Sequence, residues 1–219
     1  MQPTKMFEML LAHFGPQRWW PGDSPFEVMV GAILTQQTSW ANVERAIANL
    51  RAAGALSPGD IAAMEPGKLE SLIRPSGFYR QKARYLNALC RHILGAYGGD
   101  PDAMLSVPLE VLRPELLALP GIGPETADSL LLYAGGKPAF VVDAYTIRIC
   151  QRTGVFGSPK YDVVKKFFED SLPRDVGLYN EFHALFVKLG KDMCRPGKPL
   201  CGECPLRESC LYARTGTGA

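Results

Sequence analysis

The sequence has no long apolar run, no internal repeat and no large excess of charge of either sign. Lys and Arg number 24 against 22 Asp and Glu in 219 residues, a formal net charge of +2. So even a balance excludes a polybasic coat or an acidic tail, and any anion-binding surface must come from local clustering of cations. No window is long and apolar enough for a transmembrane helix, and the apolar stretch around Met6 to Phe14 is broken by Glu8 and His13, so neither a membrane span nor a signal peptide is expected. Strand-like segments are nearly missing. Only "PAFVVDAY" (138–145) reads as one, too short and isolated to build a sheet. What remains is an ordinary soluble composition, 47% hydrophobic and 21% charged, expected in a reducing cytosol.

What is present is helical periodicity. "PFEVMVGAILTQQTSWANVERAIANLR" (25–51) sets apolar residues three and four apart, as do "GKLESLIRPSG" and "YRQKARYLNALCRHILGAYG". Pro and Gly punctuate the joins at Pro58-Gly59, Pro66-Gly67, Pro75 to Gly77, Gly98-Gly99 and Gly135-Gly136. The pattern predicts an all-α protein of roughly ten helices joined by short connections, ending in a loose tail "ARTGTGA".

Cysteine is scarce but clustered. Cys194, Cys201, Cys204 and Cys210 form a C-x6-C-x2-C-x5-C spacing, with Pro196, Gly197, Pro199, Gly202 and Pro205 supplying the bends. Four thiolates so close in sequence can converge on one centre, and either zinc or a four-iron, four-sulfur cluster would satisfy them. Disulfides are the third reading, disfavoured by the expected compartment. Cys90 and Cys150 lie on apolar helical faces and read as core thiols. Arg195 and Lys198 sit between the first two clustered cysteines, with Lys188 and Lys191 upstream; each alone is a solvated cation, but together on a pinned loop they could neutralise phosphates.

The stretch "LLALPGIGPETADSLLLYA" joins two helices through a turn in which Gly121 and Gly123 remove Cβ atoms and Pro124 opens the second helix. Backbone N–H groups at such a turn are suited to a phosphate oxygen. Glu125, an acid in the first turn, stabilises the helix through its dipole and, facing the pocket, is a second candidate catalytic carboxylate. Downstream, Asp143 in "VVDAYTIR" is placed to cap the helix that starts near Ala144.

Hairpin, downstream aspartate and cysteine spacing together resemble the helix-hairpin-helix DNA glycosylases with an iron–sulfur cluster, the endonuclease III superfamily, over about residues 7 to 211. The resemblance implies that the turn, with Gly121, Gly123 and Thr126, binds a DNA phosphate, often through an alkali-metal ion. It implies that Asp143 is the catalytic carboxylate and that the four cysteines hold a [4Fe–4S] cluster, so iron–sulfur is expected over zinc. Bifunctional members carry a lysine in a pattern like LPGVGxKTA, which attacks C1′ and forms a Schiff base. Glu125 stands at that position here and cannot form an imine, so a monofunctional, hydrolytic enzyme is expected. "ILTQQTSW" is also similar to the LQQTQV pattern of adenine-mismatch glycosylases, but their catalytic Glu is matched by Ala32, which argues against unmodified adenine.

"RWWPGDSPFEVMVGAILTQQTSW", "IRPSGFYRQKARYL" and "GIGPETADSLLLYA" look most like the 3-methyladenine DNA glycosylase III branch, which places Trp20 and Trp40 at the base pocket. A 3-methylated purine is cationic, so aromatic faces attract it by about 1–2 kcal/mol when desolvated. Some members of that branch lack the cluster, and this chain keeps the cysteines.

The resemblance further implies two lobes, residues 24–137 as a six-helix domain and 1–23 plus 138–219 as the cluster domain, with the active site in the cleft. The partner would be double-stranded DNA containing a damaged base, bound by a nucleoid-associated monomer with no membrane. The lesion would be flipped out, Gln36 filling the vacated space and Phe78 or Tyr79 acting as a wedge. Tyr145 is expected to line the cleft, whereas Arg148 and Arg152 are expected to be solvated or paired locally. The rival readings are an endonuclease III-like glycosylase for oxidised or mismatched pyrimidines, and a non-catalytic DNA-binding iron–sulfur protein.

Overall fold

The computed structural model describes residues 1–215; residues 216–219, the end of the tail expected to be loose, lie outside the described residues. Among the described residues every α- or π-helical segment is joined by turns or 3-10 pieces, and no strand forms. The strand-like run 138–143 forms no strand, and its apolar residues serve the core: Ala139, Phe140, Val141 and Val142 are all fully or almost fully buried. The residues divide into two compact units, Trp20–Lys137 and Met1–Trp19 with Pro138–Ala219.

α1 (Pro3–Phe14) belongs to the second of these units. The Trp20–Lys137 unit holds α2 (Pro25–Leu34), α3 (Trp40–Ala52), α4 (Pro58–Ala63), α5 (Pro66–Leu72), α6 (Tyr79–Tyr97), α7 (Pro101–Ser106), α8 (Leu109–Leu117) and α9 (Pro124–Ser129), which runs on as a π-helical turn over Leu130–Ala134. Proline at the first helical position starts α2, α4, α5, α7 and α9, where the missing N–H is not needed. Ser24, Ser57, Glu65 and Asp100 cap the first four of these by accepting a backbone N–H through their side chains. The short proline-started helices α4, α5 and α7 raise the helix number above the six expected for this stretch.

α2 is the centre of this unit. Phe26 to Leu34 are all buried, which is why its sequence is apolar on every face. Its one buried charge, Glu27, lies 2.7 Å from Arg51 of α3. A helix so enclosed has its C-terminal end fixed by its surroundings, and that end leads into the 35–39 loop.

The other unit adds α10 (Ala144–Thr153), α11 (Tyr161–Ser171), α12 (Val176–Asp192) and α13 (Leu211–Arg214) to α1. Its core is aromatic: Phe140 stacks on Phe168 at 4.4 Å and Phe182 on Phe186 at 4.6 Å, with Tyr179 edge-on to Phe140. Phe7 of α1 meets Phe182 edge-on at 5.4 Å. This cluster fixes α12, whose C-terminal end feeds the cysteine loop.

Candidate functional site

The hairpin between α8 and α9 turns at Gly121, whose φ of +79° lies in the left-handed region. A Cβ there would stand 2.2 Å from the ring of Tyr85 on α6, so glycine is required by both conformation and space. Gly123 instead is extended and exposed and caps α9, while Ile122 between them is buried and anchors the turn. Glu125 is exposed in the first turn of α9. Behind the turn, Asp128 is fully buried and receives a two-pronged hydrogen bond from Arg113 of α8, at 2.8 and 3.0 Å.

Gln36 does not stand clear of the protein. Its amide Nε2 donates to Gly121 O at 2.9 Å and to Thr126 Oγ1 at 3.0 Å, tying the 35–39 loop to the hairpin. The exposed residue of the pair is Gln37, held at a φ of +53°. Phe78 is 63% exposed at a φ of +44°, just before α6. Tyr79 is flanked by the guanidinium groups of Arg74 and Arg80, at 5.6 and 5.9 Å from its ring. Sequence reasoning passed over Gln37 because nothing in "TQQT" separates its two glutamines; the separation is made by a hydrogen bond across 85 positions.

Trp20 and Trp40 are brought together, edge to face with centroids 5.2 Å apart. Tyr133, which sequence reasoning did not single out, completes the group at 5.2 Å from Trp20. It comes from the π-helical turn after α9, and the wider winding of such a turn is not signalled by residue type. Gly31 on α2 admits the Trp20 indole at van der Waals distance.

Asp143 lies in the other unit, as the N-cap of α10. Its Oδ1 accepts from Thr146 N at 2.7 Å and from the Thr146 hydroxyl at 2.9 Å. Its Oδ2 is 3.5 Å from His183 Nε2 of α12. Burial pushes this carboxyl up, but hydrogen bonding and charge from His183, with the two bonds from Thr146, hold it below the usual aspartate value. Asp143 is thus a carboxylate that is both nearly dry and ionised. His183 escaped sequence reasoning because nothing local separates it from the other polar residues of α12, and its partner Asp143 lies 40 positions away. Two residues on, Tyr145 packs where a Cβ on Gly190 would stand, and burial raises its hydroxyl pKa.

The expectation that Arg148 and Arg152 are solvated or locally paired is corrected by the same helix. Arg148 donates to Cys194 O at 2.9 Å and to Gly190 O at 3.1 Å. Arg152 donates to Arg195 O at 2.6 Å, to Pro196 O at 2.7 Å and to Cys194 Sγ at 3.4 Å. The carbonyls at the end of α12 and the start of the cysteine loop lack helical partners, and these cations supply them.

Cys194, Cys201, Cys204 and Cys210 line one small cavity with Leu189 and Leu206. Among the described residues no group of three or more His, Cys, Asp or Glu side chains that could hold a metal ion is present. Burial, followed by the neighbouring thiols, pushes Cys201 up, and burial with those thiols raises Cys204 to about 11. Arg195 and Lys198 on the same loop are exposed. Upstream, Lys188 pairs with Asp192 at 2.8 Å and Lys191 lies 5.9 Å from the Trp19 ring. Cys90 and Cys150 are fully buried, and burial pushes both to about 12.

No helix among the described residues is long and apolar enough to cross a membrane. The chain is 47% identical over 209 residues to the "Putative DNA repair glycosylase MJ1434" of Methanocaldococcus jannaschii, covering 94% of each chain. Among solved structures it is similar to an endonuclease III in a non-covalent complex with DNA, at a TM-score of 0.84 and 27% identity, covering 98% of this chain and 96% of that one. It is also similar to the H. pylori 3-methyladenine DNA glycosylase bound to 1,N6-ethenoadenine, at a TM-score of 0.77 and 30% identity, covering 87% of this chain and 98% of that one. Residues 30–174, which span the Gln36–Gln37 loop, the hairpin and Asp143, match the model of a family described as "HhH-GPD superfamily base excision DNA repair protein". The turn built on Gly121 and the carboxylate at Asp143 are therefore parts of a base-excision DNA glycosylase, and the chain belongs to the HhH-GPD superfamily of base excision DNA repair proteins.

Proposed function

We propose that the protein is a monofunctional glycosylase that releases alkylated purines such as 3-methyladenine from double-stranded DNA. The observation that carries this reading is the pairing of an ionised, nearly dry Asp143 with a hairpin whose position 125 bears a carboxylate and no amine. In this reading the C1′–N bond breaks with its electron pair going to the base, water forms the new C1′–O bond, and Asp143 opposes the positive charge on the sugar while receiving the water's proton. A 3-methylated purine leaves as a neutral base, so no general acid is needed at the leaving group. Trp20, Trp40 and Tyr133 would hold that cation by stacking. The likeness to the glycosylase bound to 1,N6-ethenoadenine supports a purine substrate.

The hairpin, through Gly121, Gly123 and Thr126, would hold a DNA phosphate, with an alkali-metal ion if one binds its carbonyls. Gln37 replaces Gln36 as the residue offered to the vacated space, because the Gln36 amide is engaged by the hairpin. Phe78 is the wedge. The four cysteines fit a [4Fe–4S] cluster: all four line one cavity, and four thiolates are the donor set such a cluster takes. When bound, the cluster supplies a cross-link that shapes the loop carrying Arg195 and Lys198.

The retained cysteines and the larger TM-score to endonuclease III favour a second reading, a glycosylase for oxidised or mismatched pyrimidines. One assay separates them. Duplexes containing 3-methyladenine, 1,N6-ethenoadenine or an oxidised pyrimidine are incubated with the protein, and free base and strand breaks are scored with and without alkali. Alkylated base release with breaks only after alkali is expected; breaks without alkali would remove the monofunctional claim. Asp143→Asn should slow release by about 10³-fold with DNA binding retained.

A further inference from the structure

Two exposed non-glycine residues of the Trp20–Lys137 unit hold left-handed backbone, Gln37 at φ +53° and Phe78 at φ +44°. Such residues persist only where the surroundings hold them. Both loops are reached by one side chain. Lys82 of α6 is 2% exposed, and its Nζ donates to Leu34 O at 2.8 Å and to Ser76 O at 2.7 Å. Leu34 ends α2, three residues before Gln37, and Ser76 lies two residues before Phe78. Lys82 N also donates to Phe78 O at 3.0 Å, fixing the first turn of α6. Ser76 is fully buried, and its hydroxyl donates to Ile73 O at 2.7 Å, so this carbonyl cannot drift from the ammonium.

The charge has no carboxylate to balance it, since among the described residues Lys82 forms no ion pair. Its two carbonyl partners and the C-terminal end of α2 are what receive it. A buried ammonium of this kind is a poor filler, because a linear apolar side chain occupies the same space without desolvating a charge. What it does that a filler cannot is bond two loops at once. Glu27, the buried charge on α2 itself, is by contrast paired with Arg51.

We infer that Lys82 is a positioning residue that sets Gln37 and Phe78 as one coupled pair, so that both enter the duplex together when a damaged site is met. This rests on the glycosylase reading above. Lys82 touches neither DNA nor the reacting atoms; it acts through the two loops.

The test uses the full chain and a duplex carrying a tetrahydrofuran abasic analogue beside 2-aminopurine, whose fluorescence rises when its stack is opened. Affinity for the undamaged duplex and the thermal midpoint are measured in parallel. Wild type should give the rise. Lys82→Met should reduce the fraction of bound duplex that opens about ten-fold, leaving undamaged-duplex affinity within about two-fold, and Lys82→Arg should recover most of it. Adding Phe78→Ala to Lys82→Met should change little further, because the wedge is already displaced. Should Lys82→Met fail to fold, Lys82→Gln, which keeps an N–H donor, carries the test with the same direction of change. An unreduced rise in the folded variant, or equal loss of opening and of undamaged-duplex binding, would overturn the inference. Wild type that binds damaged and undamaged duplex alike with no rise overturns the glycosylase reading and this inference together, whereas base release by wild type with an unreduced rise in the variant overturns this inference alone.

Discussion

At the hairpin, side chains reach in from elsewhere in the same unit and the contacts close among themselves: Gln36 bonds Gly121 and Thr126, Arg113 bonds Asp128, and the Tyr85 ring fills the space Gly121 leaves. At the cysteine loop the arrangement is one-sided. Arg148 and Arg152 grip the carbonyls of residues 190 to 196, and beyond them the loop turns around a cavity faced by four thiols. The first region is held by polar bonds between distant positions. The second is held firmly at its entrance, and in the cluster reading proposed above the rest would depend on the group that joins its sulfurs. A phosphate-binding turn must keep its backbone still with nothing bound, whereas a basic loop can take its shape from a cofactor.

The largest effect should come from breaking the second region. Cys204→Ser should abolish the visible absorbance of the purified protein and open the 194–210 segment to protease, while the Trp20–Lys137 unit stays protected. A colourless wild type, or a loop cut equally in both proteins, would contradict the cluster. Next comes the hairpin. Gly121→Ala forces a left-handed alanine and a Cβ into the Tyr85 ring, and should cost about 3 kcal/mol in urea unfolding. A loss below about 1 kcal/mol would mean the turn has room to relax, and the contrast between the regions would weaken.

How far this contrast was legible depends on sequence separation. The turn itself could be read because Gly and Pro act locally, and the Asp143 cap because Thr146 is three residues away. The props could not. Gln36 meets its partners 85 and 90 positions on, and Lys82 meets Leu34 across 48. In "YRQKARYL" nothing local marks Lys82 as buried, since its two acceptors are the backbone carbonyls of Leu34 and Ser76. Arg148 and Arg152 were misread for the same reason, since their acceptors are backbone groups and leave no mark on residue type.

Lys82 also gives the hairpin side a pH signature. Burial lowers its amine to about 8 from the ordinary 10.5. Between those values the unfolded chain binds the proton and the native one does not, so stability should rise with pH across that window, by about 3 kcal/mol in full. Urea midpoints from pH 7 to 10 measure it, with Lys82→Met as the reference that lacks the rise. The neutral amine keeps two N–H groups for its two carbonyls, so the loops should stay pinned while the desolvation cost disappears.

The smallest effect tests whether the hairpin is held by many weak bonds or one strong one. Thr126→Val preserves shape at a position only 8% exposed and removes the oxygen that accepts from Gln36 Nε2 at 3.0 Å. Gln36 would still donate to Gly121 O at 2.9 Å. One neutral hydrogen bond out of a connected set should then cost about 1 kcal/mol, with undamaged-duplex affinity lowered by no more than about three-fold. If stability falls as predicted but affinity collapses, the Thr126 hydroxyl is itself a phosphate contact, because its proton remains available while its lone pair is engaged. If stability falls as far as in Gly121→Ala, the Gln36 latch fails as a unit, and the hairpin is as dependent on one joint as the cysteine loop is on its thiols.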